Sequence, residues 1–184
     1  MPAKANGLKI ERKFTESGED PFKKLDWTKR DVEIRNFDGS VAFSMKDVNL
    51  PDNYSQVAAN VLSQKYLRKA GIPKNLKKVR EKGVPIWLQK SVPDHKAMEK
   101  LPESEKYGEE VDGRQTFRRL AGTWTYWGWK HSYFATEEDA RAYYDEMCFM
   151  LASQRASPNS PQWFNTGLNW AYGIEGPAQG HYFV

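Results

Sequence analysis

Two prolines only three residues apart, Pro158 and Pro161, interrupt a long helical pattern near the end of the chain. Proline cannot continue a helix, and each of the two pushes the serine before it toward an extended conformation. The pattern therefore predicts a stiff, nearly extended segment that presents Asn159, Ser160 and Gln162 and is anchored by the two aromatic residues that follow. Such a segment is suited to hold a polar ligand. A helix-to-strand connector with caps is the alternative that local chemistry leaves open.

The composition is that of one globular domain with an aromatic core. The chain has 184 residues, of which 39% are hydrophobic and 14% aromatic, which is enough for a substantial core. A single cysteine excludes an internal disulfide framework. No apolar run is long enough to predict a membrane span, and no apolar segment follows Met1 as a secretory signal would require. A reduced, cytoplasmic setting is the expectation.

The charge is divided unevenly along the chain. Residues 1–100 carry 21 Lys and Arg against 13 Asp and Glu, whereas residues 101–184 carry 7 against 11, so that +8 and −4 give the net charge of +4. A basic half is compatible with a nucleic-acid partner. Single-strand binders, however, interleave basic residues with stacking aromatics, and five of the seven tryptophans lie between 124 and 170. This segregation argues against a nucleic-acid groove.

The first part of the sequence predicts an arm, a hairpin and a helix. Residues 1–30 show no periodicity and predict an N-terminal arm that lies on something else. Alternating apolar residues over 31–48, around the turn-forming residues Asn36–Ser40, predict a β-hairpin. Apolar residues at helical spacing predict a helix over about 55–70, with Gly71 just past its end.

The middle of the chain predicts shorter elements. Residues 72–112 are charged and interrupted by prolines, and they predict short helices and loops around a buried anchor at Ile86–Leu88. A short helix is predicted over Gly113–Leu120. The alternating Trp and Tyr residues of Thr123–Trp129 suit a half-buried strand or turn packed into the core.

A second long helix precedes the proline segment. Thr136 and the three acidic residues after it predict a helix start, with Thr136 as N-cap and the acids favoured by the helix dipole. This helix is expected over 136–156, followed by a loop over 157–167. The sequence thus predicts a mainly α fold with a small β-hairpin, in which residues 31–184 form one domain after the arm.

The proline segment also resembles a known family. Residues Asn159-Ser160-Pro161-Gln162-Trp163-Phe164-Asn165-Thr166-Gly167 resemble the Asn-Ser-Pro-x-x-Phe-Asn-x-Gly element of class II ribonucleotide reductases, which depend on adenosylcobalamin. The resemblance continues in order through most of the chain. The family's start, first helix, aromatic run and Gly/Pro turn are similar to Ile10–Phe14, Ser55–Gly71, Arg119–Lys130 and Gly173–Tyr182.

The resemblance implies the N-terminal portion of a ribonucleoside-diphosphate reductase that makes deoxyribonucleotides for DNA synthesis. In the family, the cofactor generates a thiyl radical, the radical abstracts the ribose 3′ hydrogen, and a cysteine pair supplies electrons. The N-terminal helical region is expected to pack on a ten-stranded α/β barrel, and adenosylcobalamin to bind mostly outside this chain. The expected partners are a ribonucleotide, the C-terminal catalytic portion and, in the full enzyme, a second copy. A fragment, whether truncated or from a split gene, is expected to be inactive alone.

The resemblance also implies which residues bind substrate. These are Ser160, Asn159, Pro161 and Gln162, of which Gln162 stands where relatives have Thr, and no catalytic residue is expected in this chain. A side-chain hydroxyl or amide can donate and accept hydrogen bonds, and backbone amides freed by the turn could meet phosphate oxygens.

The other chemical candidates have simpler interpretations. Cys148 lies between apolar neighbours in a helical pattern and predicts a packed residue. His95, His131 and His181 have no cysteine or carboxylate at metal-ligand spacing, so no metal site is predicted. The competing interpretation of the whole chain is a free-standing interaction domain or single-stranded nucleic-acid-binding domain.

Overall fold

A long β-hairpin packs against the first of two long helices, the two long helices pack against each other, and shorter elements surround them. The computed structural model describes residues 7–176 of the 184. The strands are β1 (Trp27–Arg35), β2 (Val41–Pro51), β3 (Ile72–Pro73), β4 (Leu76–Lys78), β5 (Ser91–Pro93) and β6 (Tyr107–Gly108). The helices are α1 (Gln56–Val61), α2 (His95–Met98), α3 (Gly113–Lys130), α4 (Glu137–Ala152), α5 (Ser160–Asn165) and α6 (Leu168–Tyr172). A π-helical turn spans Leu62–Tyr66, and 3-10 turns span Ile86–Leu88 and Glu103–Glu105. Strands pair antiparallel as β1–β2, β3–β6 and β4–β5.

The predicted hairpin forms, and it is longer than predicted. Trp27 pairs with Pro51 at its open end, beyond the predicted limits of 31 and 48. The turn has the predicted chemistry, because Gly39 takes a φ of 85° and the Asn36 amide donates to the Ser40 carbonyl at 2.8 Å. One face is buried, as the pairing of Val32 with Met45 in the core shows. Alternation along both strands therefore predicted the fold of this region.

The described part of the predicted arm lies on α4 of the same chain. Leu8 forms a short parallel bridge with Phe134, just before α4 begins. The Arg12 guanidinium lies 2.8 Å from the nearly buried Asp145 carboxylate, and Glu146 accepts hydrogen bonds from the amides of Phe14 and Thr15. Burial opposes ionisation of Glu146, but these hydrogen bonds outweigh it and lower the pKa of the carboxyl. Residues 27–30, which the prediction assigned to the arm, belong to β1, so the boundary between arm and hairpin lies earlier than predicted.

The predicted helix over 55–70 is wrong in its second half. Ser55 caps α1 as an N-cap should, accepting from the Ala58 amide at 3.1 Å. The chain then widens into the π turn and leaves the helix at Leu67, whose ψ of 134° is extended. Gly71 takes a φ of 79° beyond the end of the π turn, and it does not cap α1. The helix ends early because groups of this segment bond to other elements, as described below.

The aromatic run is helical, which corrects the prediction of a strand or turn. Helix α3 continues without a break from Gly113 to Lys130, and a capping box between Asp112 and Gln115 fixes its start. Its buried side recurs with helical period at Phe117, Leu120, Ala121, Thr125 and Gly128. The tryptophans mask that period because they lie on several faces of the helix; Trp127 is 52% exposed.

Helix α4 starts as predicted and ends earlier. Thr136 is its N-cap and accepts from the Asp139 amide at 3.1 Å, and the last residue is Ala152 rather than 156. Cys148 lies in the core where α4 packs against α3, with no exposed surface. Burial raises the pKa of its thiol, which agrees with the prediction of a packed residue.

The segment 157–167 is not the nearly extended loop that the prolines predicted. It turns into α5 at Ser160, and Pro161 lies in the first turn of that helix. Proline is tolerated there because a first-turn N–H has no partner within the helix. Gly167, with a φ of 89°, separates α5 from α6.

The anchor at Ile86–Leu88 is only partly correct, since Leu88 is fully buried while Ile86 is 77% exposed. Within residues 7–176, no helix combines the length and the apolar character that crossing a bilayer requires.

Gly122 offers a test of the packing of α6 on α3. Its α-carbon lies beneath the Trp170 ring, which would overlap an added Cβ, and the ring nitrogen is held by the Leu88 carbonyl at 2.9 Å. Alanine favours a helix interior by about 1 kcal/mol over glycine, yet we expect Gly122→Ala to destabilise the chain by about 1–3 kcal/mol through overpacking. Urea denaturation measures the change. Gly108→Ala is the control, since nothing lies within 4 Å of its added Cβ; equal midpoints for the two variants would contradict this packing.

Candidate functional site

The start of α5 places Ser160 against Tyr66. The Ser160 Oγ lies 3.0 Å from the Tyr66 hydroxyl, and both side chains are half-buried. Ser160 is the first residue of α5, and Tyr66 is the last residue of the π turn. Two segments that are distant in sequence thus meet at this hydroxyl pair.

An aromatic stack stiffens this contact. The Tyr66 ring stacks on Trp163, with centroids 5.4 Å apart and planes 14° apart. The indole N–H of Trp163 donates to Ser157 Oγ at 3.3 Å, which holds the chain just before α5. Because Trp163 is buried in the core, the stack fixes the position of Tyr66 and of the first turn of α5 together.

The other predicted substrate-binding residues are exposed at the same helix start. Asn159 is the N-cap of α5, and its side chain makes no capping hydrogen bond. Its carbonyl accepts from the amides of Gln162 at 3.1 Å and Trp163 at 3.3 Å, while Pro161 has no N–H to offer. The amides of Gln162 and Trp163 are therefore engaged within the turn and are not free for a ligand. The exposed side chains of Asn159 and Gln162 remain accessible.

Tyr66 forms part of the wall of two cavities. A groove of about 390 Å³ lies between α1 and the chain before α5, and its lining includes Tyr54, Val57 and Ser157. A second cavity of about 270 Å³ is lined by Phe164 and residues 64–70, among them Lys65, Arg68 and Lys69. Neither cavity is lined by Ser160 itself.

The second cavity is basic, and one of its lysines is partly desolvated. The Lys69 ammonium donates to the Ser63 carbonyl and lies 4.8 Å from the centre of the Phe43 ring. Burial lowers the pKa of Lys69 to about 8, although Glu109 and Glu110 act in the opposite direction.

A buried ion pair lies behind the site. Glu110 and Arg119 have no exposed side-chain surface, and their Oε1 and Nε atoms are 2.8 Å apart. The carboxylate also accepts from the Arg68 amide, the Thr116 hydroxyl and the Tyr172 hydroxyl, at 2.8, 2.9 and 2.8 Å. Burial, reinforced by the Glu110 charge, raises the pKa of Tyr172. Each carboxylate oxygen of Glu110 thus accepts at least two hydrogen bonds, as a buried charged group requires.

The guanidinium connects this pair to the site. Arg119 donates to the Tyr66 carbonyl at 3.0 Å and to the Thr166 carbonyl at 2.7 Å. Thr166 directly follows α5, and Tyr66 ends the π turn. One buried arginine therefore holds the two segments that bring Ser160 and Tyr66 together.

Sequence reasoning predicted a substrate-binding role for Ser160, and it did not point to Tyr66, Glu110 or Arg119. A charged residue on the buried face of α3, between Thr116 and Thr123, is the signal that could have revealed the ion pair, since an isolated buried charge is not tolerated. Nothing local in the sequence pairs Arg119 with Glu110, or Tyr66 with Ser160.

The structure offers no metal centre among residues 7–176, where no group of three His, Cys, Asp or Glu side chains converges. His181 and the end of the Gly173–Tyr182 stretch lie outside the described residues.

Comparison with known proteins identifies the family. A family model described as class II vitamin B12-dependent ribonucleotide reductase matches residues 28–154. A vitamin B12-dependent ribonucleotide reductase from Agrobacterium fabrum is 59% identical over 96% of the chain, and one from Bradyrhizobium diazoefficiens is 56% identical over the same share. A more distant one, from Rhodopirellula baltica, is 32% identical over 92%. The chain belongs to the class II vitamin B12-dependent ribonucleotide reductase family and matches its N-terminal part. It spans about 14% of the length of the two more similar relatives.

The buried ion pair predicts a large loss of stability when one partner is removed. We expect Arg119→Met to lower the free energy of unfolding by about 3–5 kcal/mol, because Glu110 is left charged and buried. The matched control is Arg118→Met, one residue earlier in α3, which removes an exposed pair with Asp20 worth about 0–1 kcal/mol. Chemical denaturation of both variants measures the difference. Similar decreases in the free energy of unfolding of the two variants would show that the buried pair contributes no more to stability than the exposed pair.

Proposed function

We propose that this chain supplies part of the ribonucleotide-binding wall of a reductase that converts ribonucleotides to deoxyribonucleotides with adenosylcobalamin. The observation that carries the proposal is the 59% identity, over 96% of the chain, to a protein named vitamin B12-dependent ribonucleotide reductase. The placement of Ser160 at an accessible helix start, on a fixed scaffold, supports it. In this proposal Ser160 and the exposed side chains of Asn159 and Gln162 hydrogen-bond the substrate.

The chemistry of reduction belongs to the rest of the enzyme. Thiyl-radical chemistry with a cysteine pair requires at least three thiols, and this chain has one, buried within the core. A thiol with a raised pKa and no solvent access is inert. The contribution of the chain is to bind and orient, which lowers the entropic barrier of the reaction.

The cavities beside Tyr66 do not fit the cofactor. Volumes of about 390 and 270 Å³ suit small ligands, and a corrinoid is several times larger. We propose that adenosylcobalamin binds in the remainder of the enzyme, and we derive no step through it from these residues.

The proposal includes partners. The C-terminal catalytic portion, expected as a ten-stranded α/β barrel on which this helical region packs, would complete the substrate site. A homodimer of the full enzyme and a cytoplasmic setting belong to the same proposal.

Replacing part of a relative tests the proposal. The segment of the Agrobacterium reductase that aligns with this chain is exchanged for the chain itself, and deoxynucleotide formation is measured with adenosylcobalamin, a dithiol and a ribonucleoside di- or triphosphate. We expect the chimera to be active and the isolated chain to be inactive. Cys148→Ala in the chimera should leave turnover within about twofold once folding is confirmed by a thermal melt. An inactive chimera that is folded, or an active isolated chain, would refute the proposal.

Ser160 has the most specific expected role. Losing a hydrogen bond to a charged phosphate oxygen costs about 1.5–3 kcal/mol, so Ser160→Ala in the chimera should lower kcat/KM by roughly ten- to a hundredfold. The melting temperature should change little, because the side chain is small and only half-buried. An unchanged kcat/KM would remove Ser160 from the site. A collapsed melting transition with lost activity would make the residue structural.

A further inference from the structure

The Tyr66 hydroxyl has one polar contact that matters for the site, and it is with Ser160. The two oxygens are 3.0 Å apart, and either can be the donor. The remaining contacts of Tyr66 do not use its hydroxyl: the ring stacks on Trp163, and the carbonyl accepts from Arg119. A substitution can therefore remove the hydroxyl and its hydrogen bond to Ser160 while the ring stack and the backbone contact still hold the side chain in place.

The backbone brings Tyr66 to this position through an unusual turn. The Leu67 amide donates to the Leu62 carbonyl at 3.0 Å, five residues back, which is the wider spacing of a π helix. Single π turns are frequent at functional sites, because they redirect a side chain without ending its support. Here the turn delivers the last residue, Tyr66, to the first residue of α5.

A bound ligand decides which of the two hydroxyls, that of Tyr66 or that of Ser160, donates the hydrogen bond between them. A serine hydroxyl has one hydrogen to donate and two acceptor lone pairs, and the hydrogen rotates to suit its partners. If Tyr66 donates to Ser160 Oγ, the serine hydrogen is left for an outside acceptor. If Ser160 donates to Tyr66, the serine hydrogen is already used in that bond and cannot be donated to a ligand. A phosphate or ribose oxygen beside Ser160 favours the first arrangement, since it offers a strong acceptor.

We propose that Tyr66 is a positioning residue for Ser160: its phenol donates to Ser160 Oγ and so directs the serine hydrogen at an oxygen of the bound ribonucleotide. This inference rests on the proposed substrate role of Ser160. It adds a residue from the π turn after α1, outside the Asn159–Gln162 segment. The aromatic stack with Trp163 holds the phenol in place before the ligand arrives, which reduces the entropy lost on binding.

Tyr66→Phe removes the hydroxyl and keeps the ring stack and the backbone contact. In the chimera we expect KM for a ribonucleoside diphosphate to rise about three- to tenfold with kcat within about twofold, the size expected for a neutral hydrogen bond. In a Ser160→Ala background the same substitution should have no further effect. Residues in one hydrogen-bond network show such non-additivity, so the double-mutant cycle tests whether Tyr66 acts through Ser160, and the rise in KM without a fall in kcat separates positioning from a structural role.

Tyr126→Phe is the matched control. It removes a tyrosine hydroxyl on α3 from an equally direct hydrogen bond, to Glu81 at 2.6 Å, in place of one to Ser160. We expect KM in this variant to stay within about twofold of the unaltered chimera. A KM that is unchanged by Tyr66→Phe, or raised equally with and without Ser160, would overturn the positioning role.

The equilibrium Kd for a ribonucleoside diphosphate, measured by calorimetry on the same variants, does not depend on turnover. A chimera that binds without turning over, and binds several-fold more weakly after Tyr66→Phe, refutes the proposed function and supports the positioning role. Turnover that responds to Ser160→Ala but not to Tyr66→Phe refutes the positioning role alone. Absence of both binding and turnover in the folded, unaltered chimera overturns both.

Discussion

The Glu110–Arg119 ion pair is the interaction on which the arrangement of the site depends. Both side chains are removed from water, a transfer that is costly unless every polar atom finds a partner. Here the partners come from the π turn, from α3, from the chain after α5 and from α6. Because these partners are scattered along the sequence, the pair can be satisfied only when all four segments are in place. We therefore expect the pair to contribute to the specificity of this arrangement more than to net stability.

The same pair explains why the polypeptide departs from simple helical behaviour on both sides of the site. After α1, the Tyr66 carbonyl and the Arg68 amide bond to the pair rather than to their own helix. After α5, the Thr166 carbonyl does the same, and Gly167 accommodates the sharp turn because its Cα approaches the Arg119 backbone too closely for a side chain. The two interruptions leave Tyr66 and Ser160 facing each other.

The features that sequence reasoning predicted correctly are those decided by neighbouring residues. The Asn36–Ser40 turn and the Thr136 cap depend on hydrogen bonds within a few residues, and both are present. The sequence-based predictions are wrong where contacts with residues distant in sequence determine the local structure. The helix over 55–70 is cut short by contacts with Glu110 and Arg119, and the aromatic run is helical because α4 and α6 pack against it. Pro161 was misread for a different reason: a proline that breaks one helix can equally begin the next.

The same distinction between neighbouring and distant partners applies to Ser160 and Tyr66 in the candidate site. The proposal for Ser160 comes from a contiguous motif, and a motif needs no knowledge of the fold. Tyr66 lies 94 residues away in sequence from the serine it contacts, and only the π turn and the buried arginine bring it there. A hydroxyl on a half-buried serine is free to rotate, and a free rotor makes a weak and poorly directed donor. A serine whose oxygen is held by a stacked tyrosine is directed before the ligand binds. If the proposed roles hold, the strength of substrate binding at this segment depends as much on the interior contacts that place Tyr66 as on Ser160 and its exposed neighbours.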